Sequence, residues 1–202
     1  MGSYYYLASQ LPYLIYGQKP PMSSAAFKTL AKSLLDEEDS NLMECLYLDP
    51  EPREAGAGDE GPSYAGHALS TGCDFIDHWR EWERVLRLNV AKHRSTKIKR
   101  ESGAPVEPPV FPADAVSAAV KAVVGTESPL DAEILIDRAR WNAIEILAGS
   151  DNFNRNAVFA YFLKLVLLER RASFNTEEGF AEYKSLYASI LENAQHSVGE
   201  LK

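Results

Sequence analysis

Residues 156–171 read NAVFAYFLKLVLLERR, and their interpretation decides the fold. The stretch is apolar on nearly every face except at Lys164, the pattern of a helix buried against several neighbours rather than one resting on a single surface. It holds only about a dozen apolar residues, too few to cross a bilayer. The sequence therefore predicts a mainly α-helical protein built around this segment.

Working outward, Ser128 is a suitable N-cap, with Pro129 at the first helical position. The helix that follows, 130–148, carries Ile134, Leu135, Trp141, Ile144 and Leu147 on one side and is closed by Gly149. On the C-terminal side, Asn175 with Glu178 matches a capping box. Beyond it Phe180, Tyr183, Tyr187, Ile190 and Ala194 recur in steps of three and four, a helix-packing seam.

Upstream, 114–124 reads as a small Ala/Val helix ended by Gly125, preceded by a Pro-rich break at 103–112 that is the candidate hinge. Residues 74–99 carry Phe75, Ile76, Trp79, Trp82, Val85, Leu86 and Leu88 with charges between them, the recurrence of one long amphipathic helix. Its end is basic: Lys92, His93, Arg94, Lys97, Lys99 and Arg100. The segment 49–66, DPEPREAGAGDEGPSYAG, offers almost nothing to bury and is expected to be a mobile loop. Ser23 or Ser24 caps a helix bearing Phe27, Leu30, Ala31, Leu34 and Leu35. An acidic turn at 36–39 then leads into 42–48, giving a helical hairpin. The aromatic opening at 4–8 fits one short N-terminal strand or a brief helix equally well. The expectation is thus a multi-helix orthogonal or up-down bundle, a single domain over 1–202 with two Pro/Gly-rich insertions.

The composition agrees with a chain that folds. Hydrophobic residues make up 46% and charged residues 25% of 202 positions. The net charge of −8 repels phosphate backbones and anionic head groups, so the expected partners are proteins and not nucleic acid. Cys45 and Cys73 are the only cysteines and lack CxxC spacing, which points to a reducing, intracellular home. The first sixteen residues have no basic n-region and carry Pro12 within the apolar part, unlike a signal peptide or a membrane span.

Chemistry is hard to find in the pattern. GxxxxGK[ST], HExxH and GxSxG are all missing, so no cofactor is expected. His67, Cys73 and His78, with Asp74, form the best metal candidate. Their plainer reading is a loop histidine, a small apolar residue near a helix start, and a histidine paired with Asp74 one turn earlier. Glu133 with Asp137, and Asp77 with Glu81, lie one turn apart as acid/base pairs would, but such pairs usually make a solvated helix face. The basic run at 92–100 beside Trp79 and Trp82 could contact phosphates and stack bases, yet the tryptophans sit at core spacing. The residues at 4–6 and the Tyr161/Phe162 pair read as core, and any exposed fraction of them would mark an interface.

The opening YYYLASQLPYL at 4–14, together with NFNRNAVFAYFLKLVLLERRASFNTEEGFAEY at 152–183, resembles a small family encoded among the V-type (A/V-type) ATPase subunits of certain bacteria. The shared features are an aromatic start followed by LP, an apolar helix ending LLERR and an N-T-E-E-G segment. The resemblance implies a non-catalytic accessory or central-stalk-type subunit, a counterpart of the C (or d) subunit. Its partners would be the other ATPase subunits of the central stalk and membrane ring. Its location would be cytoplasmic, peripheral at the inner membrane face through those subunits. The alternatives are a helical adaptor of another complex and a small metal-binding protein. Interface residues are expected at Arg94, Lys97, Lys99 and Arg100 on the basic helix end, and at Lys164, Arg170 and Arg171 beside the apolar helix.

Overall fold

A computed structural model describes residues 2–48, 70–97, 108–109, 113–174, 179–180, 182–187 and 189–190. The chain is a mainly α-helical bundle: α1 Gly2–Gln10, α2 Ser24–Lys32, α3 Glu37–Glu44, α4 Asp74–Lys97, α5 Ala113–Val124, α6 Pro129–Ala148 and α7 Arg155–Ala172. Helical residues recur at 179–180, 182–187 and 189–190. The expected loop at 49–66 lies outside the described residues, and so does the candidate hinge at 103–112 apart from Pro108 and Pro109.

The α7 helix is the buried element the sequence announces. Asn154 caps it by accepting the Ala157 N–H at 2.9 Å. Phe159, Leu163 and Leu165 are fully excluded from solvent, and their neighbours come from α1, α2 and α6. Ser128 caps α6 with Pro129 at its start, and Gly149 closes that helix at φ 75°, a conformation suited to a residue without Cβ. The α6 helix in turn packs on α4, α5 and α7, which places it at the centre of the bundle. Trp79 and Trp82 of α4 stack with centroids 5.8 Å apart, and the Trp79 indole donates to the Tyr47 carbonyl at 3.1 Å. Phe75 meets Phe159 across the α4/α7 side of the core at 6.2 Å.

Of the two readings open for the aromatic opening, the helix is the one formed, and three other expectations change. Nine residues alone make a marginal helix, and α1 is held by the fully buried Leu7 and its contact with α7. The acidic residues at 36–39 form no turn. Asp36 caps α3 by accepting the Asp39 N–H at 2.9 Å, and Glu37, Glu38 and Asp39 occupy its first turn, where the helix dipole favours negative charge. On α6 Trp141, Ile144 and Leu147 face inward as expected, but Leu135 is exposed, and Asp137 and Arg140 join Ile136 in the interior. The C-terminal stripe is not buried, since Phe180, Tyr183, Tyr187 and Ile190 are each more than half exposed. Its capping box and Ala194 lie outside the described residues.

Candidate functional site

Charged residues from three helices meet in the interior. On α4, Glu83 and Arg87 lie one turn apart; α6 brings Glu133, Asp137 and Arg140 onto one face; α7 adds Arg170 from its last turn. Arg140 grips Glu83 through two bonds, Nη2 to Oε1 at 2.6 Å and Nε to Oε2 at 3.1 Å. Its Nη1 reaches Asp137 Oδ1 at 2.9 Å. Arg170 donates to the same Oδ1 at 3.0 Å and to Glu133 at 3.1 Å, and Arg87 donates to Glu83 at 2.6 Å. Arg94 comes within 3.7 Å of Glu133 at the exposed end. Signs therefore alternate along the chain of contacts, and α4, α6 and α7 are tied in one register.

Burial sets the electrostatics. Arg140 is 4% exposed and Asp137 1%. Burial opposes the charge of Arg140, but the carboxylates of Glu83 and Asp137 outweigh it and hold the guanidinium above its ordinary pKa. For Asp137 burial wins, lifting the carboxyl above its usual range against the pull of Arg140 and Arg170. Its Oδ2 is buried without a hydrogen-bond partner among the described residues, consistent with that direction.

A second cluster surrounds Tyr16, just before the turn at Gly17 (φ 83°). The Tyr16 hydroxyl donates to the Ile134 carbonyl at 3.1 Å and accepts from Arg171 Nη1 at 2.7 Å. Its ring carries Arg138 at 4.9 Å and Arg171 at 4.8 Å from the centroid, with Trp141 edge-on at 5.4 Å. Burial is the main force raising the Tyr16 pKa. A third feature is a half-open groove of about 350 Å³ between α4 and α5, lined by Val85, Val116 and Val120 with His93 and Lys121 among its polar groups.

The sequence-predicted residues scatter over these features. Arg94 and Arg170 converge on Glu133. Lys164 pairs with Glu145 at 3.1 Å and lies over Trp141. Arg171 joins Tyr16. Lys97 ends α4, and Lys99 and Arg100 lie outside the described residues. Asp137, expected on a solvated face, is instead buried because two arginines from α6 and α7 surround it. Asp77 accepts from Ser70 at 2.5 Å and from the Thr71 N–H and hydroxyl at 2.9 Å each, closing the start of α4. Burial pushes its carboxyl up, and those bonds bring it below the ordinary value. Glu81 receives two bonds from Arg84.

Cys73 is buried beside the start of α4, whereas His67 lies outside the described residues. Among the described residues no group of three His, Cys, Asp or Glu is placed to hold a metal ion. Trp79 and Trp82 present no face to stack on, being 1% and 0% exposed. Tyr5 and Tyr6 depart from the expected core role, at 61% and 59% exposed. Sequence reasoning missed Glu83, Arg138 and Arg140 altogether; the spacing of Asp137, Arg140 and Arg138 on one helix was visible, but not which of them turns inward.

No family model matches the chain, nor does any curated protein or solved structure. Among the described residues no helix is long and apolar enough to cross a membrane.

Proposed function

We propose that the chain is a non-catalytic accessory or central-stalk-type subunit of a V-type (A/V-type) ATPase, supporting ATP-coupled ion transport through protein contacts. The observation that carries this reading is the meeting of the two segments behind the resemblance, which lie at opposite ends of the sequence. The Tyr161 hydroxyl of α7 donates to the Pro12 carbonyl at 2.9 Å, and Tyr5 stacks on Phe153 at 4.5 Å. A motif split between the two ends thus forms one packed unit, as a shared structural role for both parts requires. In this reading hydrolysis and ion passage belong to partner subunits, and the chain binds no cofactor or nucleic acid and reaches the membrane only through those partners.

Co-purification tests it. A tagged chain expressed in its own cells and recovered from detergent-solubilised membranes should bring down A, B, D or membrane-ring subunits. Recovery of none of them overturns the assignment.

A second reading, an adaptor of another complex, is favoured by the exposed apolar face at Phe180, Tyr183, Tyr187 and Ile190. Such a face suits a helix of any partner. The proteins recovered in the same experiment separate the two.

A further inference from the structure

We infer that the junction around Tyr16 is a docking surface for an acidic helical segment with an apolar face, supplied by a protein partner. Arg138 and Arg171 are held on one aromatic ring, and neither has a carboxylate partner among the described residues. That is unusual in a chain of net charge −8, where acids outnumber cations 29 to 21. The acids nearest in sequence are already engaged: Asp137 by Arg140 and Arg170, and Glu169 by the Ser24 N–H and hydroxyl at 2.8 and 2.5 Å.

Exposed apolar residues flank the junction along the chain. Tyr13 is 87% exposed and Ile15 is 47% exposed, on either side of buried Leu14 and immediately before Tyr16. Leu135, also exposed, lies one turn from Arg138 on α6. Stacking on Tyr16 and the 2.7 Å bond to its hydroxyl fix the arginine geometry in advance, so less side-chain freedom is lost on binding. A helix with carboxylates one turn apart beside a leucine stripe complements both the charge and the apolar rim.

This inference does not rest on the ATPase assignment. A test uses the full chain and a synthetic amphipathic peptide of about 18 residues, with leucines at helical spacing and glutamates flanking them, followed by fluorescence anisotropy. A peptide with lysine in place of glutamate and vesicles of phosphatidylserine and phosphatidylcholine complete the set. The glutamate peptide should bind at least about tenfold tighter than the lysine peptide, and raising salt to about 0.3 M should weaken it severalfold. Arg138→Glu should weaken it about tenfold with the melting temperature unchanged, while Lys121→Glu on α5 should change it less than about twofold. If Arg138→Glu proves unstable, Arg138→Ala with a smaller expected loss takes its place. Equal binding of both peptides, or indifference to the Arg138 substitutions, overturns the proposal. So does vesicle binding that is lost with Arg138 while the peptide fails to bind. Co-purification with ATPase subunits is read separately, so either idea can fail without the other.

Discussion

Replacing Arg140 with alanine removes the guanidinium that joins two buried carboxylates on different helices. Breaking a buried pair from one side costs about 3–5 kcal/mol, because the remaining charge stays desolvated. Here Glu83 keeps Arg87 at 2.6 Å and Asp137 keeps Arg170 at 3.0 Å, so the lower end, about 3 kcal/mol, is expected. Against a typical stability of about 5–15 kcal/mol that is a large fraction. Urea unfolding followed by circular dichroism and tryptophan fluorescence measures it, Trp79, Trp82 and Trp141 all being buried reporters. The loss also carries a pH signature. Asp137 already has a raised pKa; without Arg140 its ionised form becomes still less favourable in the folded state. A carboxyl with a raised folded pKa penalises folding above that pKa, so the deficit of Arg140→Ala should shrink as pH falls from about 7 towards 4. Combining Glu83→Gln with Arg140→Met, which removes charge from both sides while keeping volume, should recover part of the loss. A deficit under about 1 kcal/mol, or one indifferent to pH, would refute the view that this network is a buried clamp.

Three further outcomes follow from individual contacts. Phe159→Ala, at a fully buried ring facing Phe75, should cost about 3–5 kcal/mol in urea unfolding, and a cost under about 2 would show that the site is not part of the central core. Tyr161→Phe should cost about 0.5–1.5 kcal/mol through the lost bond to Pro12. Because burial pushes the Tyr161 hydroxyl up to about 12, the folded state favours its protonated form, and the stability this gives is lost as pH rises from the ordinary value of 10.0 through about 12; ultraviolet titration should show one late tyrosine fewer in the variant. Glu44 is held down to about 2 by hydrogen bonds from Lys28 and Lys32, so its contribution is present above 4.5 and disappears as pH falls towards 2. With its side chain 48% exposed the effect stays under about 1 kcal/mol; Glu44→Gln should flatten that part of the acid limb, and an unchanged acid profile would show the contact to be inert.

The bundle was legible in the sequence where apolar residues dominate a helix. In α7 only Lys164 interrupts the apolar run, and every register of the helix predicts burial, so the reading could hardly miss. In α6 the sequence was deceptive, because a helix face carrying Asp137 and Arg140 looks the same whether water or another helix covers it. Only the approach of Glu83 from α4 and Arg170 from α7 decides the matter, and those contacts join residues 57 and 33 positions away. The opening helix was ambiguous for a similar reason: its nine residues have weak local preference, and the deciding partner is α7 at the far end of the chain. Of the candidate docking residues, Arg171 was singled out from its place after the apolar helix, while Arg138 carried no distinguishing signal.

The clamp and the arginines on Tyr16 are built from the same two helices. Successive residues on a helix are turned by about 100°, so Arg138 and Arg140 of α6 point roughly 200° apart, and Arg170 and Arg171 of α7 diverge as well. Each helix therefore sends one arginine inward, Arg140 to Glu83 and Arg170 to Asp137, and one outward to Tyr16. The inner pair fixes the rotation of α6 and α7, and that rotation sets the spacing of the outer pair across the tyrosine ring. Loosening the clamp should consequently weaken binding of the glutamate peptide at temperatures where Arg140→Ala is still folded, although Arg140 itself is 4% exposed and cannot touch the peptide.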